Sequence, residues 1–368
     1  MKKQSAFILV SLLLSSLFLS SAISMVSAED SNSFETNLES LESKLVTLHW
    51  VSYAPTHADP NSGLWPTENV LRADLQLLYD TGFRGIITYA CDGILDQIPR
   101  IAKEIGFEGV IVGVYLGWTD NEQIANAKMI SEYADGYCVG NEGIELSSQS
   151  IIPLTYGLEY LTSVMDEIRE NTSKPVTTSE PGDHYLVTVH VPAASLREIG
   201  DWLLPNYAYY SFWHGNGPAA SENLVVEYYN DLKALAPDKV ILLKETGYPS
   251  AGVARSTEEN QTEFFRLLNN TDVNFAYFEA FDQYWKTWAV VEPHWGLFDM
   301  DRSPKDVVSY LEEHFAQQGT TTETGTSSTT TTSPTSTTTT ETSILLIWSA
   351  AAVAIVAVAA VYLVKFRK

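Results

Sequence analysis

The chain has 368 residues, 45% hydrophobic and 18% charged, with 22 Lys and Arg against 46 Asp and Glu and a formal net charge of -24. Aromatic residues at 11% and apolar runs along the whole length exclude wholesale disorder, because such a chain can bury a large core. The acidic balance excludes nucleic acid as a partner, since phosphate backbones are bound by clustered Lys and Arg, and two cysteines are too few for a disulfide scaffold.

Residues 1–28 open with Lys2 and Lys3, pass through the apolar stretch Ala6–Leu19 and end on the small residues of Val26-Ser27-Ala28. This is the layout of a secretory signal peptide, and residues 29–43 read as a lead-in. From 44 to 316 one pattern repeats: a short run rich in β-branched or aromatic residues, a polar loop, and a segment of helical period. The strand-like runs are Leu45–Tyr53, Gly85–Tyr89, Val110–Leu116, Gly136–Val139, Pro175–Ser179, Trp202–Ser211, Val240–Lys244 and Asn274–Phe281. Between them, Glu68–Asp80 repeats Val70, Leu71, Leu75 and Leu78 at helical spacing, and Leu158–Glu170 does so with Leu161, Val164, Met165 and Ile168.

Eight such units predict an α/β fold, a closed (β/α)8 TIM barrel of parallel strands covered by helices. An open doubly wound sheet would place a glycine-rich loop after its first strand, and Ser52-Tyr53-Ala54-Pro55 has no glycine. Beyond the barrel, residues 317–343 are almost entirely Thr and Ser, the composition of an extended stalk. Ile344–Val364 carries no charge and at helical rise spans roughly 31 Å, so it reads as a single transmembrane helix, with the basic tail 365–368 on the cytoplasmic side. The expectation is a secreted barrel, held outside the cell by a membrane anchor. Three Asn-x-Ser/Thr sequons, at Asn171, Asn260 and Asn269, fit that placement.

On such a barrel the chemistry sits at the C-terminal ends of the strands. Those ends carry Tyr53, Tyr89, Asp92, Asn141, Glu142, Glu180, Tyr210, Trp213, His214, Glu245, Glu279 and Asp282. The pair to single out is Glu142, in Gly140-Asn141-Glu142-Gly143, and Glu245, in Glu245-Thr246-Gly247-Tyr248-Pro249-Ser250. Two carboxyls across a mouth can cleave a glycosidic bond when one keeps its proton and the other stays ionised. Either glutamate alone would read as a loop-top ion pair. The seven histidines show no ligand spacing, so neither a metal nor another cofactor is implied. Cys91 and Cys138 are two strands apart, beyond disulfide reach, and should both be free.

At these motifs the chain resembles glycoside hydrolase family 17, the β-1,3-glucanase family. The likeness extends to Phe278-Glu279-Ala280-Phe281-Asp282-Gln283-Tyr284-Trp285-Lys286 and to Glu292-Pro293-His294-Trp295-Gly296-Leu297-Phe298. The resemblance implies that Glu142 is the general acid/base and Glu245 the nucleophile of a retaining double displacement on β-1,3-glucan. It implies that Asn141 binds the sugar 2-hydroxyl and that Glu279 and Lys286 contact sugar. Tyr210 matches the family's strand-six aromatic, or else fills the barrel core. Tyr53, Trp213 and Trp285 complete the expected substrate contacts, the tryptophans as stacking faces for pyranose rings. Gln283-Tyr284 replaces the family's Glu-Pro and bears on subsite preference. The partners expected are a β-glucan and the membrane, with the protein a monomer. The rival readings are a transglycosylase using the same glutamates, a non-catalytic carbohydrate-binding surface protein, and an enzyme for another β-linked polymer.

Overall fold

The computed structural model describes residues 32–144, 156–188, 191–207 and 216–321. Seven parallel strands form one sheet: β1 (Trp50–Ser52), β2 (Gly85–Ile87), β3 (Gly109–Val114), β4 (Gly136–Asn141), β5 (Val176–Ser179), β6 (Leu243–Thr246) and β7 (Phe275–Tyr277). Their order is β5-β4-β3-β2-β1-β7-β6. The strands are short and almost wholly buried, and β2 and β3 are apolar throughout, as expected for a parallel sheet covered on both faces. Helices follow them, among them Glu68–Thr81, which buries Leu71, Leu75 and Leu78, and Leu158–Thr172, which buries Leu161, Val164, Met165 and Ile168.

The two edges, β5 and β6, are joined by the segment between Asp201 and Asn206. Asp201 donates its amide to Val176 and Asn206 to Glu180 on one side, while Leu242 and Lys244 donate to Leu203 and Pro205 on the other. The curved sheet is thereby barrel-like. Two expectations are corrected here. Eight regular strands were expected, and the described residues give seven, because the run Trp202–Ser211 contributes isolated bridges at Leu203 and Asn206 in place of a strand. Pro205 has no amide hydrogen to extend a ladder, and 208–211 lie outside the described residues.

The transmembrane helix is also withdrawn, and with it the membrane as a partner and the anchored location. Among the described residues no helix is long and apolar enough to cross a membrane. The 18-residue helix Pro218–Leu235 carries Glu222, Glu227, Asp231 and Lys233, whereas spanning needs about 20 mainly apolar residues. The expected signal segment 1–28, the stalk beyond 321 and Ile344–Val364 lie outside the described residues.

The first expected strand is shorter than its apolar run because 32–47 is helical. Leu41 and Leu45 on that helix pack with Trp50, Ile87, Ile111, Cys138, Trp202, Leu204, Leu242 and Ala276, which fill the barrel interior. Spacings of four and three residues from Leu41 through Leu45 to Leu48 give the helix one apolar stripe, so the interior beneath it overrides the β-branched look of the sequence. Cys91 and Cys138 are both free and buried.

Tyr53 does not reach the mouth. It is 1% exposed and its hydroxyl donates to Asp74 on the first barrel helix, 3.0 Å away. Asp74 is fully buried and also accepts from the Thr56 amide and hydroxyl and from Arg302 Nε at 2.7 Å. The carboxylate thus ties the loop after β1 to the loop before the last helix. Asp74→Ala should cost about 3–5 kcal/mol, since it strands a part-buried guanidinium, whereas Tyr53→Phe should cost about 1 kcal/mol. Urea unfolding measures both, and equal small losses would contradict the clamp.

Candidate active site

The mouth is built where β4 and β6 each lose register with their neighbours. Cys138 pairs with Thr177 but Asn141 with Ser179, so Val139 and Gly140 face Thr178 alone. Likewise Leu243 pairs with Phe275 and Thr246 with Tyr277, so Lys244 and Glu245 face Ala276 alone. Such bulges re-aim side chains that strict alternation would send to opposite faces. Gly140 takes φ 74°, and a Cβ there would lie 2.2 Å from the Tyr156 hydroxyl, so glycine is required. Glu142 follows with φ 51°, its amide held by the Ser179 carbonyl at 2.9 Å.

Asn206 connects the pieces. Its Nδ2 donates to Glu142 Oε1 at 3.0 Å and to Asn141 Oδ1 at 3.2 Å, and its Oδ1 accepts from Ser179 Oγ at 2.7 Å. Lys244, with no exposed surface, donates from Nζ to Asn141 Oδ1 at 2.5 Å. The same Nζ lies 3.8 Å from Glu245 Oε1 and 4.2 Å from the centre of the Tyr89 ring. Glu142 opens onto the mouth but is crowded by protein on its other sides. That desolvation, reinforced by the Glu245 charge, raises its carboxyl to about 7, against the pull of Asn206 and Lys244.

Glu180 stands behind Glu142, fully buried. Its carboxyl accepts from the Tyr156 hydroxyl at 3.0 Å and the Ile144 amide at 3.3 Å, and the Tyr156 hydroxyl in turn accepts from the Gly143 amide at 3.1 Å. Burial pushes it up to about 8. On the far side Glu279 is also fully buried, paired with Lys286 Nζ at 2.7 Å. Burial raises it to about 7, opposed by Lys286 and assisted by Glu245. Its Oε2 has no hydrogen-bond partner among the described residues. Burial likewise raises Glu292, and Glu245 contributes to that shift.

The structure therefore brings together Asn141, Glu142, Glu245, Glu279 and Lys286. Trp285 is half-buried beside them, its Nε1 donating to Gln283 at 2.8 Å and its ring 5.7 Å from the exposed Trp288. Lys286 Nζ lies 5.8 Å from the Trp285 ring centre. Tyr53 is placed in the clamp described above, and Tyr210 and Trp213 lie outside the described residues. Sequence reasoning missed Asn206 and Lys244. Lys244 adjoins Glu245 and could have been found from the oddity of a buried-looking lysine directly after the apolar run Val240–Leu243, whereas nothing local marks Asn206. Among the described residues no group of His, Cys, Asp and Glu is arranged to hold a metal ion.

What this arrangement offers is a carboxyl raised to about 7 beside the charge of a second carboxyl, the kind of pair that acid-assisted cleavage of an acetal needs. Known proteins agree with that chemistry at the level of family. A model of the BtgE/BtgC glycoside hydrolase domain matches residues 51–296. A glucan 1,3-beta-glucosidase of Saccharomyces cerevisiae is 25% identical over 186 residues, 44% of this chain and 58% of that protein, so the chain spans less than two thirds of that relative. An endo-laminarinase structure from Formosa superposes with TM-score 0.60 at 17% identity, covering 73% of this chain and 87% of that one. A glycoside hydrolase family 17 beta-1,3-glucanosyltransferase from Rhizomucor miehei gives 0.55 at 19%, covering 71% and 96%. These structures share the fold, and the matched model gives the family: the chain carries a glycosidase domain and belongs to the BtgE/BtgC glycoside hydrolase family.

Proposed function

We propose that the chain cleaves β-1,3-glucosidic bonds in glucans with retention of configuration. The observation that carries the reading is the carboxyl of Glu142, raised to about 7 in part by the charge of Glu245 across the mouth. In the first step Glu142 gives its proton to the glycosidic oxygen while the Glu245 carboxylate attacks the anomeric carbon, forming a glycosyl ester and releasing the aglycone sugar. In the second, Glu142 takes a proton from water as that water displaces the ester, restoring both residues. Asn141 donates to the sugar 2-hydroxyl oxygen and so turns that hydroxyl's own proton toward the Glu245 carboxylate, a bond that strengthens as positive charge develops on the ring. The Trp285 face and Lys286 hold the neighbouring sugar, with the buried Glu279 positioning the Lys286 ammonium from behind.

The β-1,3 linkage is supported by the motifs shared with family 17 and by the printed activities of the yeast, Formosa and Rhizomucor proteins. The Rhizomucor protein is named as a transferase, which favours one second reading: a sugar hydroxyl replaces water in the second step. Sizing the products at high laminari-oligosaccharide concentration separates the two, longer chains meaning transfer.

Glu142→Gln should lower kcat/KM on laminarin by about 10²–10⁴-fold, and Glu245→Gln by at least as much, with both variants folded. Near-normal turnover in either, or inversion of the first-formed anomer by proton NMR, would overturn the roles. Because Glu142 must be protonated to act and titrates at about 7, kcat/KM should fall as pH rises through about 7, and the residual rate of Glu142→Gln should lack that alkaline limb.

A further inference from the structure

Resting on the roles just given to Asn141, Glu142 and Glu245, the geometry points to Lys244 as a positioning residue: its ammonium turns the Asn141 amide so that the NH2 end faces the substrate. Lysine carries donors only, so the Asn141 atom 2.5 Å from its Nζ must be the carbonyl oxygen. The same oxygen accepts from Asn206 Nδ2 at 3.2 Å, and Ser179 fixes the Asn206 amide in turn. With Oδ1 committed twice inside the barrel, Nδ2 of the half-exposed Asn141 has no partner among the described residues and is left to donate outward.

The position is built at a cost, which argues for a role. A lysine with no exposed surface is kept there by Asn141, by the Tyr89 ring at 4.2 Å and by Glu245 at 3.8 Å. It reaches them only because the β6 bulge turns Lys244 and Glu245 to one side. The strand itself needs only the main chain of Lys244, whose carbonyl accepts from Ser52 Oγ at 2.7 Å and whose amide donates to Pro205 at 2.9 Å. A hydrophobic side chain would satisfy those bonds equally well.

The test uses the full chain. Lys244→Met keeps length and removes every donor. It should lower kcat on laminarin about 10–100-fold with KM changed less than about threefold, the signature of an interaction made in the transition state. In an Asn141→Ala background the same substitution should cost less than about threefold, because the two residues act as one. Lys244→Gln keeps a donor without the charge and should restore most of kcat. Among the described residues the groups that face Glu142 are Glu245 and Lys244 on β6, Glu180 after β5, Asn206 and Glu292, and of these only Lys244 is a cation, one that holds the Glu142 carboxyl down. Both Lys244 variants should therefore move the alkaline limb upward, which reports the ammonium beside Glu142, while the coupling to Asn141 reports the positioning.

A Lys244→Met enzyme within twofold of wild type, or one losing equally with and without Asn141, overturns the proposal. If Lys244→Met does not fold, Lys244→Gln decides: full kcat with the limb raised supports the role, and an unmoved limb overturns it. Should the wild-type chain turn over no β-glucan, the functional reading fails, but the carboxyl 13C titration of Glu142 in wild type and Lys244→Gln, assigned with Glu142→Gln, needs no substrate. An upward displacement there supports the electrostatic contact, and none overturns it.

Discussion

Neighbouring residues on a strand face opposite ways, and the mouth of this barrel needs neighbours that face the same way. Asn141 and Glu142 must both address one bond, and Lys244 and Glu245 must both lie inside. The two register losses, in β4 against β5 and in β6 against β7, meet that demand, and the rest of the site is arranged around them. Gly140 allows the first because it has no Cβ, and any other residue there would drive one into the Tyr156 hydroxyl. Glu142 then enters the left-handed region, uncommon for a residue with a side chain, and is held there by bonds on both sides: Ser179 to its amide, and Tyr156 with Glu180 to the two amides that follow.

Crowding around the mouth sets the protonation of four glutamates. Burial raises Glu180, Glu279 and Glu292, and surrounding protein together with the Glu245 charge raises the more open Glu142, each opposed by particular donors or cations. Two lysines meet this acidity: Lys286 pairs with Glu279, and Lys244 sits between Asn141 and Glu245. Both arrangements put a cation in contact with aromatic rings, Lys286 near Phe278 and Lys244 near Tyr89, so the cations are held on faces that take little from their charge. The acidic residues that first excluded nucleic acid include the pair on which the proposed reaction rests.

Much of the fold was legible in the sequence because its signal is local. The helix over Glu68–Thr81 announces itself by leucines at helical spacing, and β3 by an unbroken apolar run. The helix over 32–47 was not, since its apolar stripe makes sense only against the barrel interior that Trp50 and Trp202 fill. The strand ends gave Glu142 and Glu245 because a barrel puts chemistry there. The same rule misplaced Tyr53, since it cannot distinguish a side chain that enters the mouth from one that leans out to a buried Asp74 on the neighbouring helix.

By itself, then, the sequence determined the alternation of strands and helices, the pair of glutamates at two strand ends, and the motifs that link the chain to carbohydrate-cleaving enzymes. Tertiary structure decided which way those side chains face and what charge they carry. Asn206 is 64 residues from Glu142 and Lys244 is 103 from Asn141, yet these contacts orient the amides and oppose the upward shift of the acid. A contact of that kind leaves no period or motif in the chain, because it exists only once closure of the sheet has brought β4, the Trp202–Asn206 segment and β6 around one interior.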